Sequence, residues 1–487
     1  MKLSLLAKEA APYLVALRGD CEITSISQDS RQKTENGLFF CISGANADAH
    51  DYAAQAIENG AVALVVTRFL DDLDVPQLKV SHDRSAMALM AEAFYGHPAK
   101  QLKLVGITGT KGKTTTSYFL KAILEAAGFA CGLIGTTGNM IGNRWMKSSL
   151  TTPDPIELNR TFRQMADAGI DVVCMEVSAH AIAMKRLEGL TFEAGCYLNI
   201  SQDHLDYFGT MERYFQTKKS FLVDGSVKNV ALNADDDLYA DIAHKLSVPH
   251  STFGICINAD IFARDIEISE HGVAFMLSLW NEHVYPVKLQ MMGMFNVYNA
   301  LAATALALIM GVEPQVICRA LEGVRSVPGR AEVLDTHTPY MVILDYSHSP
   351  DALENILRTA REFARQRVLV LFGCGGDRDH AKRTLMGAIA GKLADYSILT
   401  SDNPRTEDPM EILRTIEEGI ASTNASYEVI ENRRQAIERA LYLAQPGDVL
   451  ILAGKGHETY QDINGVKKPF DEKQIVRELL SEQGSPQ

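Results

Sequence analysis

The chain has 487 residues, which on length alone corresponds to about three domains, each large enough to bury its own core. Apolar content of 46% and charged content of 22% fit a soluble globular protein, and a net charge of −14 excludes one that holds nucleic acid by broad neutralisation of phosphates. No apolar run approaches the ~18 residues of a membrane helix and no leader pattern precedes a cleavage site, while eight isolated cysteines without CxxC spacing fit a reduced, cytoplasmic setting.

Taken in chain order, two punctuation points predict boundaries: Tyr95-Gly96-His97-Pro98 and Val327-Pro328-Gly329-Arg330. They divide the chain into units of residues 1–98, 99–328 and 329–487, and only Ser485-Pro486-Gln487 reads as a loose tail. Early in the second unit the apolar run 102–107 predicts a strand. It feeds Gly109-Thr110-Lys111-Gly112-Lys113-Thr114-Thr115, and helical periodicity over 117–127 follows, stopping at Gly128. Strand, glycine loop, Lys-Thr and helix form the arrangement that cradles a nucleoside triphosphate. Glycines let backbone N–H groups close on phosphate oxygens, Lys113 reaches the outer phosphates, and Thr114 or Thr115 offers a hydroxyl to Mg2+. The strict pattern wants glycine at 107, where this chain has Ile107.

Further on, short apolar runs alternate with helical segments, which predicts α/β architecture with parallel sheets. Six of these runs end in polar clusters: Glu176-Val177-Ser178-Ala179-His180, Asn199 to His204, Asp345-Tyr346-Ser347-His348, Gly373 to Asp379, Asp402-Asn403-Pro404-Arg405, and Gly454-Lys455-Gly456-His457-Glu458. Open α/β sheets bind ligands at the carboxyl ends of their strands, so a shared ligand cleft is expected there.

Mg2+ prefers oxygen ligands. Glu176 is a candidate carboxylate; His204 reads first as a hydrogen-bonding residue, and Asp203 and Asp206 as capping or solvated groups. Lys218 and Lys219, on one predicted helix, read as a solvated pair, and Met291, Met292, Met294 and Phe295 as core. Arg378, Arg383, Arg405 and Lys455 make a cationic set in the last unit. With Glu407 and Asp408 following Arg405, it suggests a site for a zwitterion: arginine for a carboxylate, acids for an ammonium.

In order and spacing these clusters resemble the Mur ligase family over nearly the whole chain. The resemblance also rests on Gln28-Asp29-Ser30-Arg31, Leu150-Thr151-Thr152-Pro153, Asp203-His204-Leu205-Asp206, Gly293-Met294-Phe295-Asn296-Val297-Tyr298-Asn299 and Pro328-Gly329-Arg330. That family's glycine loop also lacks the first glycine, which accounts for Ile107. The resemblance implies an α/β fold of three domains: an α/β N-terminal domain for a UDP-muramoyl substrate, a central P-loop sheet for ATP, and a Rossmann-like C-terminal domain for an amino acid. It implies an ATP- and Mg2+-dependent ligase that phosphorylates the D-Glu carboxylate of UDP-N-acetylmuramoyl-L-Ala-D-Glu and passes the acyl group to an amine; a monomer is expected, with no nucleic-acid partner and no membrane insertion.

Residue by residue, the resemblance gives residues 109–115 with Asn296, Asn299, Arg330 and Asp345 to ATP, and Lys113, Glu176, His204 and Lys218 to catalysis. Thr114, Glu176, His204 and a carbamylated Lys218 would hold the metal; Ser30, Thr151, Thr152, Ser178 and Arg186 the muramoyl substrate. Arg378, Asp402, Asn403, Pro404, Arg405, Gly454 and Glu458 match the branch that adds meso-diaminopimelate, whose second carboxylate Arg405 would grip. Met184 stands where some members have glutamine, and Ala179 where serine is frequent. L-Lysine or another diamine is the alternative acceptor, a folylpolyglutamate-type ligase a more distant one. A P-loop GTPase would carry an Asn-Lys-x-Asp signature, which this sequence lacks.

Overall fold

The strand Lys103–Thr108 lies deep inside an eleven-stranded sheet, between Val172–Glu176 and Ala194–Tyr197 and parallel to both. The computed structural model describes residues 1–44, 47–148, 150–256, 259–280 and 282–483; the expected tail at 485–487 lies outside them. Successive residues of the central strands alternate between two cores. Val105, Ile107, Cys174 and Cys196 face one, and Leu104, Val173, Met175 and Tyr197 the other. A strand covered on both faces must be apolar throughout, which is why these runs show no polar alternation.

On the first face pack the helices Lys113–Ala126 and Met294–Ile309, through Phe119, Leu120, Ile123 and Leu124 and through Val297, Leu301 and Leu306. Burying each large side chain contributes roughly 1.5–3 kcal/mol. The second face carries Pro155–Asp167 and Met211–Val223, anchored by Leu158, Phe162, Phe215 and Phe221. Parallel pairing runs through the middle of the sheet. Antiparallel strands close its two ends: Ile261–Ser269, Gly272–Leu279 and His283–Leu289 at one, Gly138–Ile141 and Arg144–Met146 at the other.

Residues 14–80 form a five-stranded sheet whose order is Leu14–Arg18, Gln77–Val80, Ala61–Val66, Gly37–Phe40, Ser25–Ser27, with only the first pair antiparallel. Residues 332–453 form a six-stranded sheet, ordered Glu332–Leu334, Met341–Asp345, Val449–Ala453, Val368–Phe372, Tyr396–Leu399, Tyr427–Val429. Again only its first pair is antiparallel, and helices cover both faces. A two-stranded hairpin, Tyr460–Ile463 with Val466–Pro469, stands beside it. Among the described residues, no helix is long and apolar enough to cross a membrane.

All six strands that precede the polar clusters belong to parallel ladders, so the clusters do lie at carboxyl ends. The loop helix begins at Lys113, four residues before its apolar periodicity becomes visible. Thr114, Thr115, Thr116 and Ser117 form its first turn and are buried, polar side chains where periodicity looks for apolar ones. Met291 and Met292 are core, as expected.

Candidate active site

The glycine loop is shaped from behind. Thr110 N donates to Asn199 O and Lys111 N to Asn199 Oδ1, both at 3.0 Å, so the segment after Ala194–Tyr197 sets the loop's curve. Gly112 has φ +87, and a Cβ there would stand 2.4 Å from Asn299 Oδ1. Asn299 Nδ2 donates to Asn296 Oδ1 (3.1 Å) and Asn296 Nδ2 to Met292 O (2.8 Å), which fixes both amides beneath the loop. Lys113 Nζ donates to the carbonyls of Gly109 and Thr110, each at 2.9 Å. Cation, glycine loop and helix N-terminus converge as an anion-binding cradle requires.

Glu176 ends its strand fully buried. Thr136 holds both carboxylate oxygens, its backbone N–H on Oε1 and its hydroxyl on Oε2, each at 2.9 Å. A Cβ on Gly135 would meet Glu176 Oε1 at 2.3 Å, so only glycine leaves the carboxylate its place. His204 has φ +55, a backbone region that non-glycine residues seldom occupy. Its ring meets His180 edge-on at 4.7 Å. Burial pulls His180 down to about 4, helped by His204 and Arg186, and burial also lowers His204.

Lys218 and Lys219 are both buried, against the expectation of a solvated pair. Lys219 is ion-paired with Asp241. Lys218 Nζ donates to Gly109 O at 2.8 Å and lies 4.6 Å from the Tyr214 ring. Burial drives its pKa well below the ordinary lysine value, and the Lys113 ammonium pushes it further down.

Four of the five expected muramoyl-contacting residues form one network with Glu176. Thr152 Oγ1 donates to Glu176 O (2.8 Å) and accepts from Ser178 N (3.1 Å); Arg186 Nη1 donates to Thr152 O (2.8 Å). Thr151 Oγ1 is 3.1 Å from Thr136 Oγ1. Arg186 also pairs with Asp154 (2.9 Å) and donates to Met184 Sδ (3.4 Å). Ser30 is not bonded into this network; its hydroxyl donates to Gln55 Oε1 at 2.8 Å.

Two contacts tie the six-stranded sheet to the loop. Arg330 Nη2 donates to Thr114 Oγ1 at 3.1 Å, its guanidinium lying 4.8 Å from the Tyr346 ring, and Lys111 pairs with Asp351 at 3.3 Å. Asp345 accepts from Ala331 N (2.7 Å) and from the Ser347 hydroxyl. Beyond them, Lys455 is fully buried and donates to Asp402 Oδ1 (3.3 Å), Asn403 Oδ1 (3.0 Å) and Glu458 Oε2 (3.3 Å), while Asn403 Nδ2 donates to Glu458 Oε2 (2.9 Å). Gly454 N donates to Asp345 O (3.0 Å). Pro404 is buried, Arg405 Nη1 donates to Gly376 O (2.5 Å), and Arg378 is exposed.

The zwitterion reading of Glu407 and Asp408 is corrected. Glu407 holds the buried Arg383 (2.9 Å), and Asp408 caps the helix Pro409–Ala421 by accepting from Met410 N. The acids beside residues 402–405 are Asp402 and Glu458. Sequence reasoning missed Thr136, the brace of Glu176, although it follows a strand end like the other clusters. It also missed Gln461 and Asp462, whose only local signal is the Asn464-Gly465 turn.

The chain matches three family descriptions: "Mur ligase family, catalytic domain" over residues 22–95, "Mur ligase middle domain" over 107–307, and "Mur ligase, glutamate ligase domain" over 329–456. The UDP-N-acetylmuramoyl-L-alanyl-D-glutamate--2,6-diaminopimelate ligase of Geobacillus thermodenitrificans is 42% identical over 489 residues, covering 99% of this chain and 100% of that protein. The ligase of the same name from Halalkalibacterium halodurans is 43% identical over 486 residues, covering 99% of each. A solved structure of a UDP-N-acetylmuramoyl-L-alanyl-D-glutamate--2,6-diaminopimelate ligase is 31% identical, with TM-score 0.67 over 95% of this chain and 96% of that one.

Proposed function

The chain belongs to the Mur ligase family, and from that premise we propose that it is the ATP-dependent ligase that adds meso-diaminopimelate to UDP-N-acetylmuramoyl-L-Ala-D-Glu in peptidoglycan precursor synthesis, in the cytoplasm. The observation that carries this reading is the bond from Arg330 to Thr114, which joins the phosphate loop to the sheet bearing residues 402–405.

A carboxylate is a poor electrophile, so it is first phosphorylated by ATP; the incoming amine then attacks the acyl phosphate and phosphate leaves. The N-terminus of Lys113–Ala126, Lys113 and Arg330 gather positive charge where phosphoryl charge develops. Thr151, Thr152, Ser178 and Arg186 are joined to Glu176 through one hydrogen-bond network, which supports their role in presenting the D-Glu carboxylate to that cradle. Asp402 and Glu458 are paired with the buried Lys455, which fixes this polar cluster beside the acceptor, and Arg405 offers a fork to the acceptor's second carboxylate.

For magnesium the fit is conditional. Among the described residues no three His, Cys, Asp or Glu side chains are gathered as a metal site. Thr114, Glu176 and His204 therefore need a further oxygen donor, which an ammonium at Lys218 is unable to supply. A carbamate fits: the depressed pKa favours the neutral amine that adds carbon dioxide and releases a proton. Thr114, Glu176, His204 and that carbamate would hold the metal, which would supply Lewis-acid polarisation of phosphoryl oxygens.

Amino-acid-dependent phosphate release, measured with UDP-N-acetylmuramoyl-L-Ala-D-Glu and ATP across an amino-acid panel, tests reaction and acceptor together. Turnover with meso-diaminopimelate is expected; turnover with L-lysine and none with diaminopimelate rejects the acceptor assignment.

A further inference from the structure

Residues 402–405 do not hold their own shape. The hairpin Tyr460–Ile463 with Val466–Pro469 runs alongside them and makes four hydrogen bonds to them. Gln461 Nε2 donates to Asp402 O (3.0 Å), Asp462 N to Asn403 Oδ1 (2.9 Å), Arg405 N to Asp462 O (3.0 Å), and Asn464 N to Arg405 O (2.8 Å).

Arg405 has φ +51. A non-glycine residue in that region is strained and persists only where its surroundings impose it. Here both its N–H and its C=O are taken by the hairpin, and Arg405 bridges Ile463 in parallel register. The backbone so fixed sends the guanidinium to Gly376 O. Asn403 is oriented in the same way. Its Oδ1 accepts from Asp462 N and Lys455 Nζ, which leaves its Nδ2 to donate to Glu458. The hairpin turns at Asn464 and Gly465, both at positive φ, the pairing that tight two-residue turns select.

We infer that the hairpin 460–469 determines acceptor specificity: the backbone of Asp462 and Asn464 sets Asn403 and Arg405, and Gln461 is a positioning residue that pins the hairpin to the segment at Asp402 O. The inference rests on the reading of those residues as the acceptor pocket. Among the described residues the side chain of Gln461 makes its hydrogen bond to Asp402 O and none to the phosphate loop or Glu176, so the effect is expected on the amino acid first.

The test uses the full-length enzyme with Gln461→Ala and with Gln461→Glu, which keeps the side chain's shape but removes its donor. Removing one hydrogen bond is expected to raise the diaminopimelate KM about tenfold in both variants. kcat and the KM values for ATP and the muramoyl peptide are expected to stay within about twofold, and the ratio of kcat/KM for diaminopimelate over L-lysine to fall. An unchanged diaminopimelate KM overturns the inference. So does a parallel loss in every parameter accompanied by a lowered Tm, which marks simple structural damage. Failure of the wild-type enzyme to use diaminopimelate overturns the acceptor reading itself, and that result is in hand before any variant is made.

Discussion

Lys113 and Lys218 direct their ammonium groups at one oxygen, the carbonyl of Gly109, at 2.9 and 2.8 Å. Two like charges in a buried site cannot share an acceptor at no cost. Burial lowers both pKa values, but Glu176 and Asp203 counter it at Lys113, whereas Asp203 alone does so at Lys218. Arg330 lowers Lys113 as well, but Lys218 is the one drawn well below the ordinary lysine value, in keeping with the proposed carbamate at that residue.

Lys218→Ala is expected to lower kcat/KM about 10–100-fold, the usual scale for losing a group that orders a metal site, and short carboxylates such as acetate should restore part of it. Wild-type activity in the variant would remove Lys218 from the mechanism. Stability gives a second readout. The folded-state pKa lies below the unfolded one, so the unfolded chain binds more protons between the two values and the folded state is penalised there. That penalty is full below the folded value and fades as pH rises towards 10.5. In carbonate-free buffer Lys218→Met should be more stable than wild type at neutral pH, by a margin that narrows as the solution is made alkaline; denaturant unfolding at several pH values measures it.

Gly135→Ala places a methyl 2.3 Å from Glu176 Oε1 and forces the carboxylate off Thr136. A loss of about 10–100-fold in kcat/KM with a raised magnesium requirement is expected. Gly323→Ala, with nothing within 4 Å of the added carbon, should change neither. A magnesium titration of both variants checks the contrast.

Arg405→Lys keeps the charge but loses the fork. Losing charge-assisted hydrogen bonds worth about 1.5–3 kcal/mol should raise the diaminopimelate KM roughly 10–100-fold. Initial-rate kinetics with ATP and the muramoyl peptide saturating would report it, and an unchanged KM would take Arg405 out of the pocket.

His457 packs on Tyr346 with ring centroids 5.1 Å apart, and burial, with Arg330 beside it, pulls its pKa down to about 4 from an ordinary 6.5. The unfolded chain binds the extra proton between these values. Stability from the neutral ring is thus complete above pH 6.5 and is lost as pH falls towards 4. His457→Phe should flatten the fall of Tm across that window; an identical acid profile would show that another group governs it.

The strand ends were legible because a strand buried on both faces must be apolar and must then break at polar residues; Val172–Glu176 and Val368–Phe372 are typical. What stayed illegible depended on partners far away in the chain. Lys219 looks solvated until Asp241 is placed against it, 22 residues on, and Glu407 looks ready for a substrate until Arg383 claims it. Thr136 is an ordinary threonine in sequence, and only the parallel pairing of Val172–Glu176 with Cys131–Gly135 brings it to Glu176. The start of the loop helix was hidden for a different reason, since Thr114 to Ser117 are buried polar groups.

The phosphate loop and residues 402–405 rise from different sheets, and Arg330–Thr114 and Lys111–Asp351 are side-chain contacts that bridge them. The two sheets are built from separate stretches of chain, 103–289 and 332–453, so on the proposed reading the strand ends that meet the acceptor are encoded apart from the phosphate loop. For the engineer, a transplanted C-terminal unit has to bring Arg330 and Asp351 with it, because these side chains bond it to Thr114 and Lys111 of the phosphate loop.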